Sequence, residues 1–258
     1  MITYRDYLLS ESMDASKAYQ KAMWEKRRIP ELEKVIAKDP HYAVLYAIEI
    51  LHGERFPEAE HFIVKDPENA FFYVREILHK RWPEAEPYIR LDGKYAPLYA
   101  RDIIGKRWPE IEDDILYGGD LDTIYDYAKN CVYGAWPEAE PLIAKDAKKS
   151  YQYAKFVLRH RFPMGEKAIW KNSNMWSIYR NYLAVNASDY SNEEKMRWLR
   201  EEGITEQLLS VLNAVKMSKT AQEYIIKRRP DLVGQIDNLD PELVEKYQHE
   251  KELGTVDL

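Results

Sequence analysis

The 258-residue chain carries one cysteine, Cys131, and only ten glycines. A single thiol cannot close an internal disulfide, which points to a reducing compartment, and it cannot build a thiolate zinc site. Few glycines mean few phosphate-cradling loops. No G-x-x-x-x-G-K-[ST], G-x-G-x-x-G or G-x-S-x-G motif occurs. The six histidines include no H-x-x-x-H pair. No run approaches the ~18 apolar residues that a membrane span needs, and the opening Met1-Ile2-Thr3-Tyr4-Arg5 lacks the apolar core of a signal peptide. These absences lead to the expectation of a cytoplasmic, non-enzymatic chain without metal or cofactor. A net charge of −6 argues against a general nucleic-acid binder.

What the chain has instead is a repeated phrase. Arg81-Trp82-Pro83-Glu84-Ala85-Glu86 returns with variations around Pro30, Pro57, Pro109, Pro137 and Pro163, at intervals of 26 to 28 residues. A fixed period of this size is the signature of stacked two-helix units. The fold class it predicts is all-α: an α-solenoid of about six two-helix repeats over residues 30–186. N-terminal capping helices lie within 1–29, and a divergent helical C-terminal module spans 187–258.

Proline at the start of each first helix has no intrahelical use for its missing N–H, and the glutamate after it suits the positive end of the helix dipole. An isoleucine six residues after each proline marks the buried face. Asp39-Pro40 and Asp66-Pro67 read as the N-cap and first turn of the second helix. That helix shows apolar residues at i, i+3, i+4, i+7 and i+8 around Tyr46, Tyr73 and Tyr99. The repeat positions Pro57, Pro83, Pro109, Pro137, Trp82, Trp108, Trp136, Tyr73, Tyr99 and Tyr127 are therefore structural. The ring before each proline plugs the corner between repeats, and burying it contributes about 2–3 kcal/mol. Tyr19 is expected to be the tyrosine of the N-terminal half-repeat. In the C-terminal module, helices are expected after Ser191 and over Thr205–Val215. Ala221–Arg229 with Pro230-Asp231-Leu232 echoes the repeat, Asp240 caps a last helix, and the final residues fray.

Two ladders of charge remain. The glutamates three residues after each proline (Glu33, Glu60, Glu86, Glu112, Glu140 and Glu166) recur too regularly for a catalytic pair. With Arg28, Arg55, Arg81, Arg107 and Arg161 they are expected to form ion pairs between layers, each contributing about 0–1 kcal/mol. One or two residues after the tyrosines lie Lys21, Arg75, Arg101, Lys129, Lys155 and Arg180, with Ile48 as the exception. Stacked repeats would line these into a basic stripe. Arg75, Arg101, Lys129, Lys155 and Arg180 are the candidate binding residues, either for an acidic protein face or for a nucleic-acid backbone. Salt bridges to Glu76 and Asp102 are the structural reading of the same residues.

The R-[FW]-P-E-A-E phrase, with its isoleucine and tyrosine positions, resembles short two-helix repeats of tailed-bacteriophage proteins over about residues 15–185. The resemblance implies a phage origin and a small α-solenoid, and carries no catalytic residue across. The resulting expectation is a protein-interaction scaffold in the host cytoplasm, whose partner is a host protein such as a defence component. The alternatives are a nucleic-acid-binding repeat protein using the stripe, and a virion or assembly component.

Overall fold

A computed structural model of the chain describes residues 13–185, 209, 212–213 and 216–252. Among the described residues every regular element is helical and none is a strand. The chain forms two compact units, Met1–Tyr133 and Gly134–Leu258.

In the first unit, α1 (Ala15–Glu25) is capped by the Asp14 carboxylate, which accepts from the Lys17 N–H at 2.8 Å. Three hairpins follow in closely similar form, and a fourth varies the theme. They are α2 (Pro30–Ile36) with α3 (Pro40–Glu49), α4 (Pro57–Ile63) with α5 (Pro67–Tyr73), and α6 (Glu86–Ile89) with α7 (Tyr95–Tyr99). In the fourth, a 3-10 turn at Pro109–Ile111 leads into α8 (Glu112–Gly118), and α9 is Leu121–Tyr127. α2 and α4 open on proline without a side-chain cap. Second helices are capped by Asp39 and Asp66 as the sequence predicts, and Asp92 and Asp120 do the same in the next two hairpins: each accepts a hydrogen bond from a backbone N–H two or three residues on.

The first helices are short, at seven residues in α2 and α4 and four in α6. In α6 the cause is Pro87, which has no N–H to give to the carbonyl of Pro83 and so delays regular helix to Glu86. The apolar face is as read: Leu32, Ile36, Ala59, Ile63, Ala85, Ile89, Ile111 and Ile115 are buried.

The second helices end in a way the sequence did not announce. α5, α7 and α9 run directly into π-helical turns at Val74–Leu78, Ala100–Ile104 and Ala128–Val132. The N–H of His79 reaches the Val74 carbonyl at 2.7 Å, and that of Gly105 reaches Ala100 at 2.8 Å, both five residues back. Each turn stops at a left-handed residue: His79 (φ 50°), Gly105 (φ 67°) and Tyr133 (φ 58°). Only Gly105 adopts that conformation without steric cost.

The second unit contains two hairpins of the same kind. They are α10 (Glu140–Ile143) with α11 (Ala147–Tyr153), followed by a π turn at Ala154–Leu158, and α12 (Pro163–Trp170) with α13 (Ser173–Val185). Gly165 replaces the small residue of the buried face because Ser150 occupies its space; a Cβ there would come within 2.5 Å of the serine Oγ. The C-terminal module holds α14 (Lys219–Arg228), capped by Ser218, a 3-10 turn at Pro230–Leu232, and α15 (Pro241–Glu252). The echo of the repeat extends through it: Leu232 and Ile236 are buried two and six residues after Pro230, and Asp240 accepts from the Glu242 N–H. The helix expected after Ser191, most of Thr205–Val215 and the last six residues lie outside the described residues.

Candidate functional site

The side chains that recur from hairpin to hairpin form one cluster. Arg55 Nε and Nη2 fork onto both oxygens of Glu60 at 2.8 and 2.7 Å. The Tyr73 hydroxyl donates to Glu60 Oε1 at 2.8 Å and accepts from the backbone N–H of Phe56 at 2.7 Å. The Tyr73 ring lies 5.5 Å from Trp82, the aromatic that opens the next hairpin. The hydroxyl thus ties the end of a second helix to the start of its own first helix, which makes the two antiparallel, and the ring carries the contact onward.

Equivalent clusters form around Arg28–Glu33–Tyr46, Arg81–Glu86–Tyr99 and Arg107–Glu112–Tyr127 in the first unit. In the second unit Arg161–Glu166–Tyr179 repeats the arrangement, with side chains only 3% and 5% exposed in the arginine–glutamate pair. Ala135 breaks the series, leaving Glu140 to Tyr153 at 3.1 Å. The ion pairs therefore lie within each hairpin, five residues apart in sequence, rather than between layers. A local fork can be completed by the hairpin's own tyrosine, which an interlayer pair could not guarantee. Tyr19 is half-buried, with its ring 5.7 Å from Tyr42; the position 13 residues before it lies outside the described residues.

The electrostatics follow from this geometry. Hydrogen bonding from arginine holds the carboxyls of Glu60, Glu86 and Glu112 below the usual glutamate range, with burial opposing. Burial, aided by the adjacent glutamate, pushes Tyr99 up to about 12 and raises the equivalent tyrosines as well. Burial also pushes the Cys131 thiol up to about 12, which makes it a poor nucleophile at neutral pH. These groups are tuned to hold the fold. Among the described residues no group of histidine, cysteine or acidic side chains could hold a metal ion, and no helix is long and apolar enough to cross a membrane.

The stripe residues take a common place: Arg75, Arg101 and Lys129 are each the second residue of a π turn in the first unit, and Lys155 is the second residue of the π turn in the other. Neighbours already engage the best-placed cations. Arg75 pairs with Glu76 at 2.7 Å and lies 4.8 Å from the Phe72 ring centroid. Arg101 bridges Asp102 and Asp126 at 2.6 and 2.9 Å. Lys155 sits 5.1 Å from the Phe156 ring centroid and bonds the Tyr151 hydroxyl. Arg180 follows Tyr179 directly, whereas the others stand second after their tyrosines; Asn181 holds the equivalent place. One residue is about 100° of helix, so Arg180 is out of register, and its side chain lies outside the described residues.

A second edge emerges only when exposure is compared repeat by repeat. The eighth residue after each anchoring proline is Lys38, Lys65, Leu91, Tyr117, Lys145 and Lys171, and all six are exposed. Four are lysine; the two between them are Leu91, 75% exposed, and Tyr117, 90% exposed. Tyr88, one helical turn before Leu91, is exposed as well. These residues stand at the turn from first helix to second, at the opposite end of the hairpin from the π turns. Reading down that one repeat column would have found them.

No family model, curated protein or solved structure matches the chain.

Proposed function

We propose that the chain is a non-enzymatic α-solenoid that binds another protein, with the contact centred on Leu91 and Tyr117. The observation that carries this reading is the substitution of exposed apolar side chains for lysine at one position of two successive repeats. In a repeat protein the shared positions hold the array together, and departures from the pattern are free to serve a ligand. Exposing a leucine and a tyrosine where lysine suffices gains nothing for stability, whereas adjacent exposed apolar groups are what a protein interface desolvates. The two are about 10 Å apart if successive helices keep ordinary packing distances.

The phage resemblance makes a bacterial host protein the expected partner and the host cytoplasm the expected place. The π-turn cations of the first unit, Arg75, Arg101 and Lys129, are the other surface to be tested. Its engagement by Glu76, Asp102 and Asp126 lowers its net charge and with it the case for a nucleic-acid backbone.

The test is affinity capture from nuclease-treated bacterial lysate with three forms of the protein: wild type, Leu91→Lys with Tyr117→Lys, and Arg101→Glu with Lys129→Glu. The double lysine variant restores the chain's own repeat residue, so its fold is spared. A stoichiometric protein partner held by wild type and lost from the lysine variant is the expected result. Retention by the lysine variant and loss from the stripe variant would move the contact to the π-turn edge. Recovery of nucleic acid alone, or of the protein's own copies alone, would overturn the reading.

A further inference from the structure

We infer that the Leu91–Tyr117 edge takes a basic amphipathic helix of the partner protein. Apolar side chains of that helix cover Leu91 and Tyr117, and a lysine or arginine beside them meets Asp113 and Asp114. The inference rests on the reading of this edge as a protein-binding surface and adds the chemistry of what covers it. The exposed apolar pair makes the surface; the charge around it selects the occupant.

The sign of the charge changes where the apolar residues appear. The fourth, fifth and eighth residues after each anchoring proline are net positive in four of the six hairpins, as in Lys34, Val35 and Lys38. They are neutral in the third hairpin (Pro87, Tyr88, Leu91) and negative only in the fourth (Asp113, Asp114, Tyr117). In α8 the two aspartates stand four and three residues before Tyr117 and so share its face of the helix. All three are exposed. Among the described residues neither aspartate is in an ion pair or a side-chain hydrogen bond.

The local cations do not cancel this pair. Arg107 forks onto Glu112, and Glu110 matches Lys106 in number. Lys94 bonds the Tyr95 hydroxyl, which is itself bonded to Glu68. Arg90, exposed on the preceding turn, is one cation against two acids, and Asp120 and Asp122 add to the negative sign. The helix dipole does not account for the aspartates either. Glu110 and Glu112 serve its positive end, as Glu58 and Glu60 do in the second hairpin, where His61 and Phe62 follow instead of acids.

The spacing fits a helix. Leu91 and Tyr117 are one repeat apart, about 10 Å for packed helices. Apolar side chains at i and i+7 of a partner helix are about 10.5 Å apart along its axis, which spans the two. A lysine one turn beyond the second anchor then reaches Asp113 and Asp114, which lie one turn from Tyr117. Helix-on-surface recognition of this kind reads an apolar stripe for affinity and its flanking charges for choice of partner.

The experiment is fluorescence anisotropy with the full chain and the fluorescein-labelled amphipathic peptide Lys-Leu-Lys-Lys-Leu-Leu-Lys-Lys-Leu-Lys-Lys-Leu-Leu-Lys, against the same peptide with glutamate for lysine. The expected affinity of the lysine peptide is on the order of 10–100 µM, with the glutamate peptide at least about tenfold weaker. Asp113→Asn with Asp114→Asn should weaken binding about fivefold or more. Glu54→Gln with Glu58→Gln, an equal loss of charge at exposed residues around Pro57, should leave it within about twofold. Leu91→Gln with Tyr117→Gln, which removes the apolar pair without changing charge, should weaken it about tenfold or more. The Gly118 and Gly119 amide resonances should shift on titration. Absence of binding, equal binding of the two peptides, or equal weakening by the asparagine and Glu54/Glu58 variants would overturn the inference. Partner capture that depends on Leu91 and Tyr117 would survive each of those results, so the two readings fail separately.

Discussion

Replacing Tyr73 with phenylalanine removes one oxygen from a fully buried position, and its cost follows from the cluster. The hydroxyl receives the Phe56 N–H at 2.7 Å and donates to Glu60 at 2.8 Å. Without it a buried backbone donor has no acceptor, a loss of about 1–3 kcal/mol, and the partly buried carboxylate keeps only its arginine fork. The expected loss at pH 7 is about 2–3 kcal/mol by urea unfolding followed by circular dichroism. The variant should also change the alkaline limb. Tyr46, Tyr73, Tyr99 and Tyr127 all have ionisation raised above the ordinary value near 10 by burial. The first unit therefore has its full tyrosine contribution below pH 10 and loses it as pH rises through the raised values. Each tyrosine that keeps its proton only when folded contributes a slope of about 1.4 kcal/mol per pH unit. The four cluster tyrosines together contribute about 5.5 of the first unit's slope, and the three left in the variant about 4. Tyrosinate absorbance at 295 nm and loss of helicity should then rise together above pH 10, more gradually in the variant. A loss under about 0.5 kcal/mol at pH 7 with an unchanged alkaline slope would refute the role given to the hydroxyl.

Three further outcomes are expected. The acid limb should begin as pH falls below about 4.5, because Glu60, Glu86 and Glu112 are held below that ordinary value and their contribution is lost as they protonate; flat stability between pH 4.5 and 2.5 would contradict it. Ala135→Arg should restore the missing fork onto Glu140 and raise stability by up to about 1 kcal/mol, measured by urea midpoint. His79→Gly should relieve a left-handed residue (φ 50°) that the next hairpin assigns to Gly105. A gain of about 0.5–1 kcal/mol is expected, and a net loss would show that the histidine makes an interaction outweighing its strain.

Much of the fold was legible because it rests on local rules. Aspartate caps at Asp39 and Asp66 and the isoleucine six residues after each proline depend on neighbours within one turn and are where the pattern put them, while proline opens the first α-helix at Pro30, Pro57 and Pro163. The π turns were not legible. Ala100-Arg101-Asp102-Ile103-Ile104 reads as ordinary helix, and only the packed hairpin shows the bond from Gly105 five residues back to Ala100. The tyrosine bridge was half legible: glutamate and tyrosine keep a 13-residue spacing in five clusters and 15 in the fourth. That Tyr73 also takes the Phe56 N–H depends on chain direction, which spacing alone does not reveal. Of the candidate site, the stripe was visible as charge and its pairing with Glu76 and Asp102 was readable from adjacency, but Asp126, which meets Arg101 from 25 residues away, was not. Leu91 and Tyr117 stood in plain view, but their meaning came from exposure.

The most direct measurement of the central claim is in-cell photo-crosslinking, with a benzophenone amino acid placed in turn at residues 38, 65, 91 and 117. These positions are equivalent in the repeat and all exposed, so they differ only in what they face. One discrete adduct with another protein from residues 91 and 117, and none from 38 or 65, is the expected result. Adducts of equal yield from all four, or from none, would contradict the proposal that this edge of the array is a binding surface.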